Sequence, residues 1–186
     1  MHHFTIEKKK TNKSNLFTRA CIVTALFDLL KNKDLENITI SEIVKRAGVS
    51  RMGFYRNYIS KEDIIEQYVL DIFLDTIEEI EANHNLSFNI QNILVTTLYQ
   101  FQKHAGDIKL LLDRKLDALL LACYEKSFYF LYNPKHPSRI REYSTRMFIG
   151  EIFNLEMAWV RNGMIETPEQ LAKLYYRILK LRCKTE

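Results

Sequence analysis

Few residues that carry covalent chemistry stand at useful spacing in this chain. Asp113 and Asp117 lie four apart, which would set two carboxylates on one helix face, but Arg114 and Lys115 beside them read as a solvated, charge-paired surface. His2, His3, His84, His104 and His136 show no HxxxH spacing, and no CxxC pair exists, so no metal site is expected. Cys123 sits in an apolar run and reads as packing, since a reactive thiol needs positive charge and access. A phosphate-cradling glycine loop and a GxSxG elbow are both absent. The sequence therefore predicts no enzyme and no cofactor. What remains is a basic and aromatic cluster, Arg51, Tyr55, Arg56 and Lys61, whose side chains suit base edges and phosphates.

The elements that must position this cluster are short helices. Phe17, Ala20, Cys21, Thr24, Ala25, Phe27, Leu29 and Leu30 recur at helical spacing and predict an amphipathic helix from Ser14 to about Asn32. Thr39 stands three residues before Glu42, a capping box that opens a second helix at Ile40, and Gly48 follows where the chain must leave it. Ser50 caps a third helix through Arg56. Two short helices joined by a Gly-containing turn of three or four residues form a helix-turn-helix, whose second member can enter a major groove. Ser60 and Asp63 cap a long fourth helix, from Lys61 to about Ala82.

Composition agrees with this reading. Of 186 residues, 47% are hydrophobic and only 5 are Gly and 3 Pro, too few to punctuate a strand-rich fold. Residues 1–60 hold 11 Lys and Arg against 5 Asp and Glu, whereas the remainder is slightly acidic. A basic head able to meet a polyanion thus precedes a near-neutral body. No apolar run nears the roughly 18 residues that cross a bilayer, and no export signal follows the basic start. An odd number of widely spaced cysteines, Cys21, Cys123 and Cys183, fits a reduced cytoplasm.

The stretch from Ile38 to Ile64 closely resembles the signature of the TetR family of bacterial transcription regulators, and the resemblance reaches back to Ala25, Phe27 and Leu30, covering about residues 15–70. It implies that Thr39 and Ser41 approach the phosphate backbone, that Arg51 and Met52 face bases, and that Tyr55 and Lys61 contact phosphates. Asn57 stands where many members carry His. Gly53 replaces a small hydroxyl residue or Ala, which removes one phosphate contact and costs about 1 kcal/mol of helix propensity. Arg56 completes the expected DNA-binding set.

Beyond the softest boundary, Asn83-His84-Asn85, helical periods recur over about 88–104, 107–112 and 114–132, broken by Gly106 and by the loop Asn133-Pro134-Lys135-His136-Pro137. Aromatic residues concentrate here, and Tyr99, Leu116, Leu120, Tyr124 and Phe128 are candidates to line an effector pocket. The next helix is apolar over much of its girth, with Phe148, Ile152, Leu155 and Trp159 in one stripe flanked by Ile149, Phe153 and Val160, and so needs cover on two sides. Gly163 ends it. Thr167, Pro168 and Gln170 open a last helix bearing Leu171, Leu174, Tyr175 and Ile178. The segment from Trp159 to Met164, with the Pro-capped helix after it, resembles the C-terminal domain of the subgroup that includes dihydroxyacetone-kinase operon activators.

The expected architecture is all-α. A basic tail (1–14) precedes a three-helix DNA-binding domain (15–62), connected by the fourth helix (61–82) to a helical effector-binding and dimerisation domain (83–186). Phe148, Ile152, Leu155, Trp159, Leu174 and Ile178 are the dimer candidates, in line with what the resemblance implies for the last two helices. The expected function is a cytoplasmic, homodimeric, ligand-responsive repressor acting on palindromic double-stranded DNA, with a small-molecule effector and no membrane partner. The alternative from a different class is a helical adaptor whose head docks onto a protein.

Overall fold

The computed structural model describes residues 13–82, 90–132 and 138–182, which form nine α-helices and no strand. The start of the tail, the boundary at Asn83-His84-Asn85, the loop from Asn133 to Pro137 and Cys183 lie outside the described residues. In chain order the helices are α1 (Lys13–Leu30), α2 (Ile40–Ala47), α3 (Arg51–Tyr55), α4 (Lys61–Ala82), α5 (Ile90–Lys103), α6 (Ala105–Asp113), α7 (Asp117–Tyr132), α8 (Arg139–Arg161) and α9 (Pro168–Arg182). A single 3-10 turn, Leu35–Asn37, lies between α1 and α2. None of the described helices is long and apolar enough to cross a membrane.

Local chemistry accounts for most helix ends. Gly48 (φ 66°) leaves α2 in the left-handed region, with Val49 N–H reaching back to Val44 O at 3.1 Å. Gly163 (φ 77°) closes α8 in the same way, with Met164 N–H on Trp159 O at 2.9 Å. At the end of α6 the left-handed position falls on Lys115 (φ 58°), and Leu116 N–H bonds to Leu111 O at 3.1 Å. No glycine marks that break in the sequence. The break expected at Gly106 lies instead at His104, and Gly106 sits in the first turn of α6. Thr167 and Gln170 exchange backbone and side-chain bonds at 2.9 and 3.3 Å, the reciprocal cap that starts α9.

Head and body share one uninterrupted core. It runs from Ile22, Leu26 and Leu30 of α1 through Ile43, Phe54 and Ile64 to Ile108 and Leu111 of α6, and on to Leu120, Tyr124, Phe153 and Met157. A second, smaller core joins α5, α8 and α9 through Leu94, Leu98, Trp159, Leu171, Ala172 and Tyr175. Helix α4 packs against α5 and α7, and α6 packs against both α1 and α8.

The inward face of α8 is built largely from the residues expected to flank its apolar stripe. Ile149, Phe153, Met157 and Val160 point into the protein, with Glu156 among them at 0% exposure. Phe148, Ile152 and Leu155 are half-buried on one flank, while Ile140, Tyr143 and Met147 face outward. Trp159, a dimer candidate, is a correction: it is 2% exposed inside the second core, and its Nε1–H donates to Glu166 O at 3.0 Å. Leu171 and Tyr175 turn inward from α9, whereas Leu174 and Ile178 are at the surface, 46% and 39% exposed.

Candidate nucleic-acid interface

Helix α2 is fixed at its start by Thr39. Its N–H and hydroxyl both donate to Glu42 Oε2 at 2.9 Å, and the hydroxyl accepts from Glu42 N–H at 3.2 Å. Lys33 also pairs with Glu42, and together with Thr39 it holds that carboxyl down to about 2. After Gly48 the Ser50 hydroxyl accepts from Gly53 N–H at 3.0 Å and caps α3. Phe54 (0% exposed) and Tyr58 (2%) anchor α3 beneath, each burial contributing about 1.5–3 kcal/mol. Arg19 of α1 lies over the Tyr58 ring at 5.7 Å and pairs with Asp71 of α4 at 3.2 Å, which ties the scaffold together from behind.

On the opposite side of α3, Arg51, Met52, Tyr55 and Arg56 are exposed. Arg51 is not free in solvent, because its Nη2 donates to Ser41 Oγ at 2.6 Å and so bridges α3 to α2. Ser41 is itself exposed, so the contact lies at the surface. Asn57 is half-buried and its Nδ2 donates to Gly53 O at 2.8 Å, extending the hydrogen bonding at the end of α3. A Cβ at Gly53 would lie 3.3 Å from the capping Ser50 Oγ, a contact that Ser50 would have to relieve by a few tenths of an ångström. Ile59, 82% exposed at the edge of this face, carries no polar group that would single it out in the sequence.

Two basic residues depart from expectation. Lys61, which the resemblance places on phosphate, donates its ammonium to three backbone carbonyls, Leu35 O at 2.6 Å and Glu36 O and Ile38 O at 3.0 Å. An ammonium has three N–H donors, so all are engaged. Arg114, read as part of a solvated surface, reaches from α6 to the end of α1, donating to Leu30 O and Lys31 O at 2.6 Å and to Asp34 Oδ1 at 3.1 Å. Asp113 does face solvent and pairs with Lys109, whereas Asp117 pairs with Arg161.

The five candidates for an effector pocket are not brought together. Leu120 (0% exposed) and Tyr124 (2%) belong to the packed core, and Leu116 is half-buried against it. Phe128 lines a separate open groove of about 560 Å³ with Phe148, Ile140, Arg141, Ser144 and Thr145. Tyr99 is a correction, because it is 41% exposed on α5 and donates its hydroxyl to Glu169 of α9 rather than pointing into the body. Cys123 is buried, which pushes its thiol up to about 11, and no cluster of three or more metal-ligating side chains occurs among the described residues.

Over residues 22–68 the chain matches the family model described as bacterial regulatory proteins, tetR family. It is 28% identical over 134 residues to the HTH-type transcriptional regulator SAR2658 of Staphylococcus aureus (strain MRSA252), covering 67% of this chain and 69% of that protein. The fold is similar to the crystal structure of Lin0861 from Listeria innocua, with a TM-score of 0.76 at 17% identity over 94% of this chain and 96% of that one. It is also similar to the dihydroxyacetone kinase operon activator DhaS, with a TM-score of 0.50 at 20% identity over 89% and 94% of the two chains.

Proposed function

We infer from this chain's membership of the TetR family, as a DNA-binding transcriptional regulator, that it works as a homodimeric, ligand-responsive repressor on a palindromic operator. The observation that carries the reading is the outward face of α3. Arg51, Met52, Tyr55 and Arg56 project from a five-residue helix whose underside is locked by Phe54, a rigid mount for side chains that read base edges. Residues 15–62 act as the reading head, α4 as the connection, and the remainder as the body. Two heads on one dimer would enter successive major grooves roughly 34–36 Å apart.

Support for pairing comes from apolar side chains at the surface of the last two helices, Leu174, Ile178 and Leu181 on α9 and Ile140, Tyr143 and Met147 on α8. With the half-buried Phe148, Ile152 and Leu155 they supply the apolar cover that two copies would share. An effector regulates if it binds better to a body conformation whose heads are wrongly spaced, and one with equal affinity for both conformations changes nothing. Arg51 reads sequence, while Arg56 and Tyr55 hold phosphates and Thr39 and Ser41 flank them.

Selection of bound sequences from random duplex DNA tests this directly, with a palindrome as the expected product. On the recovered duplex, Arg51→Ala should relax base preference. Arg56→Ala should weaken all sequences alike and lower the salt slope by about 0.9. Recovery of no preferred sequence, together with no affinity at low salt, would reject the reading.

A further inference from the structure

The segment from the last residue of α1 towards α2, residues 30–38, is gripped from two sides. From the body, Arg114 at the end of α6 takes Leu30 O and Lys31 O at 2.6 Å and Asp34 Oδ1 at 3.1 Å. From the first residue of α4, Lys61 takes Leu35 O, Glu36 O and Ile38 O at 2.6–3.0 Å. Five carbonyls and one carboxylate of a nine-residue segment are thus held by two side chains from outside it. A planar guanidinium fixes both distance and orientation, because its N–H groups diverge in a rigid fork.

Helix α6 is itself restrained along its length. Ile108, Leu111 and Leu112 are buried, and α6 packs on α1 and α8. At its other end Tyr68 of α4 donates to Asp107 Oδ2 at 2.8 Å and accepts from His104 Nδ1, also at 2.8 Å, since its own proton is committed. The Schellman turn that places Arg114 needs the left-handed Lys115, so the side chain leaves α6 at a defined point. The end of α6 is thereby tied directly to the end of α1.

We propose that Arg114 and Lys61 are positioning residues that clamp residues 30–38 and set the angle of α2 and α3 relative to the body, with Lys61 acting on the protein's own backbone instead of on phosphate. The inference rests on the dimeric DNA-binding reading and assigns the part of it that governs half-site spacing. Arg114 contributes no DNA contact but decides where the contacts fall.

The test uses the full-length protein, the duplex recovered by selection, and the same half-sites with one base pair added or removed between them. Wild type should discriminate among the three. Arg114→Ala should bind the original duplex about fivefold or more weakly and discriminate less. Arg114→Lys, which keeps charge but lacks the fork, should behave like Ala. Asp34→Ala removes only one bond from an exposed acceptor, leaves the helices intact, and should shift discrimination in the same direction by less. Lys61→Ala should lower affinity with an unchanged salt slope, whereas a slope lowered by about 0.9 would return Lys61 to the phosphate. Wild-type spacing discrimination in both Arg114→Ala and Asp34→Ala overturns the clamp. If wild type itself recovers no two-half-site sequence, the dimer reading fails first and the clamp with it.

Discussion

Tyr124 on α7 donates its phenol to Glu156 Oε2 on α8 at 2.6 Å in the middle of the body, where the carboxyl is 0% exposed and its Oε1 has no partner. Phe73, Phe101 and Phe153 stand edge-on around the Tyr124 ring at 5.0, 5.7 and 5.1 Å, so the pair sits in an apolar shell contributed by three helices, α4, α5 and α8. Burial disfavours the carboxylate and raises Glu156 to about 8, while the Tyr124 hydrogen bond pulls the other way and loses.

Stability should consequently fall as pH rises. The folded-state value of Glu156 lies above its ordinary value of 4.5, so its proton is held more tightly in the folded chain. The resulting stability is full below pH 4.5 and is lost as pH climbs through about 8, at up to about 1.4 kcal/mol per pH unit. Glu156→Gln keeps the shape and an acceptor for Tyr124 without ionising. It should flatten the profile, with an advantage over wild type that grows from about pH 4.5 and reaches several kcal/mol by pH 8. Denaturant unfolding followed by the fluorescence of Trp159, the chain's one tryptophan, measures this; parallel pH profiles for the two proteins would exclude it.

Tyr124→Phe isolates the hydrogen bond. The ring contacts survive and Glu156 loses its donor, so about 1–3 kcal/mol of stability should disappear at neutral pH. A double-mutant cycle with Glu156→Gln should give a coupling above about 0.5 kcal/mol. Additive losses would place the effect of Tyr124 in packing alone.

The elements specified by neighbours in sequence were legible. Thr39 with Glu42, Gly48, Gly163 and the Thr167-Pro168-Gln170 run each act within four residues, so the ends of α2, α8 and α9 follow from side-chain type. The outward side of α3 was legible too, because Phe54 and Tyr58 are the bulky residues that can turn inward there. Partners separated by long stretches of chain were not. Arg114 finds carbonyls 83 and 84 residues away, and no local pattern tells such an arginine from a solvated one. The carbonyls that Lys61 holds, 23 to 26 residues away, escape a local pattern for the same reason. The apolar girth of α8 was legible, but not that Trp159 belongs to the monomer's second core or that Glu156 is buried with Tyr124 as its partner, because those neighbours come from distant helices.

Removing the cap on α2 should cost stability without touching the outer face of α3. Thr39→Ala deletes the hydroxyl that accepts Glu42 N–H, at a cost of about 1 kcal/mol, and Thr39→Ser should restore most of it. Thermal unfolding of the three proteins checks the order. An alanine variant as stable as wild type would show that Lys33 and Glu42 hold α2 by themselves.

Dimerisation and folding should separate on the last helix. Leu174 and Ile178 are exposed on α9, while Leu171 and Tyr175, on the adjoining side, are buried in the second core with Trp159. Charges introduced at the exposed pair meet water in a monomer and an apolar surface in a dimer. The double variant Leu174→Glu, Ile178→Glu should therefore sediment as a monomer, keep wild-type helicity, and lose most operator affinity, because one head alone forfeits the second half-site. Leu171→Glu instead forces a charge into the packed interior and should destabilise the body by several kcal/mol. Sedimentation velocity and circular dichroism distinguish the two. If the double variant remains dimeric, the pairing surface lies elsewhere, and the exposed face of α8 around Tyr143 and Met147 becomes the next to charge.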